Sequence, residues 1–296
     1  MNGAIQFSNV SVVFLFDATF ALVLGVLLTD AWMSSAVAQS LLIRRPLWAL
    51  SGMLVAGHLL RPWFVAASMT GSSQFLTALA AVPDVLTATR QGKLWLAGLA
   101  IIIFLVAALL SWLRRTAPWL VAALLLLLAA VKAASGHPAD EGDFTLVEVS
   151  QLVHVLGTSI WAGAVIVSGF TVVPYLIRTT DAAAVRRYAS GLSGVVTWAL
   201  VALLMSGVYT ADRELKNSLS ALWSSAWGRI LTAKVFLVLI AVGFGATNRY
   251  KCVRKPPTAE STALLSHLLR AEAVVMLVIL YLSALLANTS PAMPEH

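Results

Sequence analysis

The chain has 296 residues, of which 59% are hydrophobic and only 11% are charged. With a mean hydropathy of +0.87, that balance excludes an ordinary soluble domain and fits a polytopic membrane protein. The net charge of +7 alone would suit nucleic acid, but the basic residues cluster in short loops between apolar runs and so report topology instead.

Eight apolar spans can be drawn, each near the roughly 20 residues that a bilayer requires. The N-terminal MNGAIQFSNVSVV has no positive region and no small-residue cleavage site, so the first span reads as a retained helix, from about Phe7 to Thr29. The second runs from Leu47 to Phe64, after Arg44, Arg45 and Pro46. The stretch from Ala67 to Gly92 holds Met69 and the helix breaker Pro83; it is too polar to span and reads as a short interfacial helix. The third span covers Leu94 to Leu113, the fourth Pro118 to Ala134. The fifth, Leu146 to Ile177, is long enough to tilt or project. The sixth covers Ala189 to Ala211, the seventh Ile230 to Thr247 and the eighth Leu264 to Ala287. The expectation is an all-α polytopic membrane helix bundle of eight transmembrane helices. It forms a single integral-membrane domain over 1–296, with spans one to four in 1–134 and spans five to eight in 135–296.

Charge gives the orientation. Four short loops hold Arg44, Arg45, Arg114, Arg115, Arg178, Arg186, Arg187, Arg249, Lys251, Arg254 and Lys255. The opposite side holds Asp84, Asp140, Glu141, Asp143, Glu148, Asp212, Glu214 and Glu295. The positive-inside rule then places both termini on the periplasmic side of a bacterial inner membrane. Trp32, Trp48, Trp63, Trp112, Trp119 and Trp227 lie near span ends, as an aromatic belt requires.

The candidate functional residues are the polar ones within the spans. The fifth span and the loop before it read SGHPADEGDFTLVEVSQLVHVLGTSIWAGAVIVSGF, from Ser135 to Phe170. His154 lies about two turns inside, and such an imidazole is costly unless something pairs with it. His58 on span two falls at a similar depth, roughly 10 Å below the outer interface, with Arg61 free to snorkel outward. Two histidines at one level would converge on a single ion. Asp17 is near mid-membrane on span one, and Met205 and Met276 are deeper sulfurs on spans six and eight. His137, Met69, Met293 and His296 add ligands at the outer surface. Imidazole and thioether suit Cu(I), and imidazole also suits Cu(II). The single cysteine, Cys252, excludes a Cys-x-x-Cys metal motif and an internal disulfide.

Each residue also has a plainer reading. For His58 and His154 it is hydrogen-bonding glue between helices, the less favoured reading because ionisable groups inside a membrane default to function. Met205 and Met276 suit ordinary gap filling, and Met69, Met293 and His296 suit solvent exposure. Trp161 and Gly157 share a helical face with His154. Lys234 and Glu272 lie inside adjacent spans, so a mutual ion pair is expected, with Arg270 as an alternative partner. A structural clamp is the favoured role, and a proton or gating switch with Asp17 the other.

Several short motifs run in order along the chain: AASMTG (66–71), SGH (135–137), HVLGTSIWAG (154–163), WGRILTAKV (227–235), ATNRY (246–250) and LLRAEAVV (268–275). In these the chain resembles the bacterial copper resistance protein D family, polytopic inner-membrane proteins of copper uptake or homeostasis, most closely over spans five to eight. The resemblance implies copper transport from periplasm toward cytoplasm, with His137 and His154 as likeliest contacts and Met69 nearby. It also implies a small periplasmic copper-binding partner, besides membrane lipid; the oligomeric state stays open. No phosphate-binding Gly-x-x-x-x-Gly-Lys-Ser/Thr loop, Gly-x-Ser-x-Gly or His-Glu-x-x-His occurs, which argues against an ATP motor and a hydrolytic enzyme. Two alternatives stand beside transport. One is an electron carrier with b-type haem between His58 and His154. The other is an assembly factor that delivers copper without moving it across.

Overall fold

A computed structural model describes residues 3–32, 45–71, 74–135, 145–215, 221–254, 256 and 258–289. Among these residues the chain is helical and holds no strand. The principal helices are α1 (Gly3–Asp30), α2 (Arg45–Thr70), α3 (Phe75–Ala88), α4 (Arg90–Leu110) and α5 (Pro118–Ala134). They are followed by α6 (Leu146–Val167, running through a π turn at Ser168–Val172 into Val173–Thr179), α7 (Ala182–Leu215), α8 (Ala226–Asn248, with a π turn at Arg249–Val253) and α9 (Ala259–Ala287). Seven of these are long and apolar enough to cross a membrane, among the described residues. The stretch expected as the fourth span is the helix α5, apolar and 17 residues long, which at the usual rise is about 26 Å.

Several helices begin before the apolar runs predicted. The apolar run marks what meets lipid; the helix itself starts where a side chain can satisfy the first free N–H groups. Thr89 caps α4 through the Gly92 amide and Ser225 caps α8 through Gly228, while Thr145, through Glu148, caps α6 at its expected start. Thr258 and Ser261 form a reciprocal capping box at α9. The short helix expected after span two is α3, which buries Ala78 and Val85.

At the centre is α6, packed against α1, α5, α7 and α9. Its crossing with α1 brings backbone against backbone. A Cβ on Gly163 would overlap the Ala21 carbonyl oxygen, and one on Gly25 would overlap the Gly163 carbonyl. Small residues are how membrane helices gain contact when lipid offers no hydrophobic drive. Lower on α6, Gly169 lies against the Leu269 backbone of α9, and Ser168 Oγ bonds Tyr188 Oη at 2.7 Å. Gly243 on α8 has open space before it.

On the other side α1 packs on α2, which packs in turn on α3 and α4. Thus α1 touches both α2 and α6, while α2 and α6 make no substantial contact. Large apolar side chains such as Phe104, Trp198 and Leu239 face outward, as lipid contact requires. The bundle has an acidic end, where Asp84 and Asp212 lie, and a basic end with Arg45, Arg114 and Arg178. At the basic end Arg114 pairs with Asp30. At the acidic end Asn9 Nδ2 donates to Asn288 Oδ1 at 2.7 Å, joining the first and last helices.

Candidate functional site in the acidic half

Asp17 and Lys132 form an ion pair within the spans, joining α1 to the last turn of α5. Lys234 of α8 and Arg61 of α2 are both within electrostatic reach of Asp17, and His154 of α6 is within reach of Lys132 and Lys234. Together with His58 these side chains make a polar layer in the acidic half of the bundle. Arg61 does not simply snorkel away: it lines a cavity of ≈ 40 Å³ together with His58, Phe16, Trp95, Gln91 and Lys132. That volume holds a few small species at most.

His58 is 4% exposed and held on three sides. Its ring stacks on Trp95 of α4, with centroids 5.0 Å apart and planes 8° apart. Its Nε2 lies 3.0 Å from the Trp95 carbonyl oxygen. Trp95 Nε1 returns a bond to the His58 carbonyl at 2.8 Å. A backbone carbonyl only accepts, so Nε2 carries the proton in this contact. Nδ1 is then left with its lone pair, buried and without a hydrogen-bond partner. An imidazole anchored through one nitrogen and open at the other is the arrangement of metal-binding histidines. Gly98 makes room for the ring, since a Cβ there would lie 2.9 Å from His58 Cε1.

His154 is built by the same logic on the far side of α1. Its Nδ1 lies 3.3 Å from Ser206 Oγ of α7. The Ser206 hydroxyl donates to the Ala202 carbonyl at 2.8 Å, so Nδ1–H donates toward Oγ and Nε2 keeps its lone pair. Gly207 leaves space for this ring, with a Cβ there at 3.3 Å from Cε1.

The two imidazoles do not converge. Their ring contacts differ, Trp95 and Phe16 for His58 and Ser206 for His154, and His154 does not line the His58 cavity. Helix spacing is the reason: α1 lies between their helices, with Phe16 against His58. A haem held between the two rings therefore has no shared cavity among the described residues. The expected sulfurs do not join them either. Met205 is 72% exposed on the outside of α7, turned away from its neighbour Ser206, and Met69 is 62% exposed at the end of α2. Met276 is fully buried in the hydrophobic core. Among the described residues no three His, Cys, Asp or Glu side chains gather into a metal cluster. His137, Met293 and His296 lie outside the described residues.

The expected Lys234–Glu272 pair is also absent. Glu272 Oε1 instead accepts from Trp161 Nε1 at 3.1 Å. The residue of α8 that faces this carboxylate is Gly245. It lies eleven residues beyond Lys234, which is about 16 Å along a helix. Adjacent spans share a wall but not a depth, so Lys234 belongs to the acidic half and Glu272 to the basic half. Arg270 is exposed, and Glu272 is buried on another face of α9. Sequence reasoning missed Lys132, Trp95, Ser206 and Gly98. Lys132 had a visible signal: it is a lysine in the last turn of an otherwise apolar span.

Known proteins share this sequence pattern. The family described as "Copper resistance protein D-like, N-terminal domain" matches residues 4–146, and the family described as "Copper resistance protein D" matches residues 182–286. A protein of Pseudomonas syringae pv. tomato named copper resistance protein D is 24% identical over 241 residues, covering 77% of this chain and 78% of that protein. No solved structure matches significantly.

Proposed function

The chain belongs to the copper resistance protein D family, and from that premise we propose that it carries copper through the membrane from the periplasm toward the cytoplasm, using His58 and His154 as two separate stations flanking α1. On this reading the bundle crosses the bacterial inner membrane eight times, with α5 as the short fourth pass. Both termini and the acidic end face the periplasm, as the basic loops favour. His137 and Met69 would first meet the ion at that face, with a small periplasmic copper protein as the donor. Met293, His296, Met205 and Met276 have no assigned part in this path.

One observation carries the reading: the buried, unpartnered Nδ1 of His58, a residue that lines a cavity, with Nε2 pinned to a backbone carbonyl. The surroundings favour the monovalent ion. Arg61, Lys132 and Lys234 lie in the same layer with one carboxylate, Asp17, among them, and a neutral imidazole beside those cations tolerates Cu(I) better than Cu(II). An inward-negative potential favours cation entry by about 2.3 kcal/mol per charge per 100 mV, so no ATP motor is required.

Copper per chain and copper affinity in the purified protein test this, for wild type, His58→Ala, His154→Ala and the double variant. Each single variant should lose one binding event and keep the other, and the double variant should bind none. Copper uptake into vesicles should fall in all three. Unchanged binding in the double variant would remove the proposal. Binding without uptake in wild type would favour delivery to a partner, and a strong Soret band in the absorption spectrum would favour haem.

A further inference from the structure

The basic half of the bundle holds a second polar site. Helix α7 meets α8 chiefly at the π turn Arg249–Val253. Beyond that contact a cleft of ≈ 270 Å³ lies between them, with Trp161 of α6 and Leu269 and Glu272 of α9 in its wall. Most of its lining is apolar, which makes its two buried polar side chains conspicuous.

Glu272 is 2% exposed. Its contact with Trp161 satisfies one lone pair and no charge. No lysine or arginine pairs with it among the described residues. Asn248 is 5% exposed, and neither its Oδ1 nor its Nδ2 has a hydrogen-bond partner among the described residues. The two belong to one place. Gly245 brings the α8 backbone against the carboxylate, a Cβ there lying 3.6 Å from Oε1. Asn248 follows three residues later, on the same face. Arg249, at the rim, is held by Ser193 Oγ at 3.3 Å and Thr197 Oγ1 at 3.0 Å. Arg270 and His267, on the same helix as Glu272, are exposed.

A carboxylate at this depth does not persist as a bare anion; it takes up a proton or another cation. A buried amide with both atoms idle is likewise unfavourable unless something binds it. We propose that Glu272 and Asn248 form a site for a small monovalent cation: a proton on the carboxylate, or a sodium-class ion held by the carboxylate and amide oxygens. Oxygen ligands suit hard cations and not Cu(I). The site therefore serves an ion other than the copper cargo, one positioned to move in exchange for it. That exchange rests on the transport reading above; the cation site itself does not.

Infrared difference spectroscopy on the full chain in lipid nanodiscs tests the site. One arm steps the pH without sodium, and the other exchanges choline chloride for sodium chloride at fixed pH. A protonated-carboxyl band that responds to the first step alone identifies the proton. A band or carboxylate shift that also responds to the second identifies the sodium-class ion, and Asn248→Leu should then weaken sodium binding about tenfold. In either case the signal should vanish in Glu272→Gln and change frequency in Trp161→Phe, which removes the hydrogen bond to Oε1. If Glu272→Gln does not fold, Trp161→Phe still makes the assignment. Spectra that are the same in wild type and both variants, on both steps, overturn the proposal. Copper binding, measured on the same samples, reports separately on the histidine stations and should be unchanged in Glu272→Gln.

Discussion

The two halves of the bundle handle buried polarity in opposite ways. In the acidic half, charges are paired or share neighbours: Lys132 holds Asp17, and Lys234 and Arg61 lie within reach of that carboxylate. Both imidazoles are anchored, and the cavity beside His58 is small, ≈ 40 Å³. In the basic half a carboxylate without counter-charge and an amide without a hydrogen-bond partner face a larger, mostly apolar cleft of ≈ 270 Å³. A membrane interior penalises both arrangements unless they are completed. The first is nearly complete and offers one lone pair at a time. The second is incomplete and is stable only when occupied.

The largest expected effect tests whether the two halves hang from one crossing. Gly163→Ala places a methyl group into the Ala21 carbonyl of α1, and helix backbones this close cannot yield without separating. A loss of about 3 kcal/mol or more is expected, seen as aggregation or a large fall in thermal midpoint in detergent. Gly52→Ala, where nothing lies within 4 Å, should leave the midpoint unchanged. A folded, copper-binding Gly163→Ala protein would mean that the halves are held together elsewhere.

Next in size is a contrast of sign. Asp17→Asn strips Lys132 of its partner and should cost about 2 kcal/mol, since the survivor is a mostly buried charge. Adding Lys132→Met to Asp17→Asn should recover much of it. Glu272→Gln removes a charge with no partner and keeps an acceptor for Trp161, so it should fall within about 1 kcal/mol of wild type, on the stabilising side. Thermal midpoints of the four proteins decide. Equal losses for Asp17→Asn and Glu272→Gln would erase the distinction between the halves.

The difference in legibility has a physical cause. The span pattern was readable because a bilayer imposes length and apolarity on every pass, and the caps at Thr89, Ser225 and Thr258 only extend the helices beyond it. Depth was readable for each polar residue counted from its own span end, which is how His58 and His154 were found. Azimuth was not. Whether two residues at one depth face each other depends on which helices are neighbours, and nothing in the sequence told that α1 separates α2 from α6. The same gap concealed Asp17–Lys132; the Lys234–Glu272 pairing failed on depth instead, because the place on α8 that meets Glu272 is Gly245, about 16 Å along the helix from Lys234. The partners of His58 were harder still, because a backbone carbonyl and a tryptophan face leave no ionisable signature.

The smallest effects sharpen the comparison within the acidic half, between its two imidazoles. A methyl group at Gly98 would lie 2.9 Å from His58 Cε1 and 3.3 Å from its Nε2. That ring cannot yield by rotation, because its stack on Trp95 and its bond to the Trp95 carbonyl fix both plane and direction. Gly98→Ala must therefore break the anchor or shift the helix. A methyl group at Gly207 meets His154 Cε1 at 3.3 Å, a few tenths of an ångström from ordinary contact, against a ring whose contact with Ser206 is long. Copper affinity read one station at a time should then fall about tenfold for Gly98→Ala in a His154→Ala background, a change of about 1.4 kcal/mol. Gly207→Ala in a His58→Ala background should lose only about two- to threefold. The reverse order would mean that the anchored ring is not the tighter ligand, and that the fixed lone pair of His58 is a consequence of packing and not a binding site.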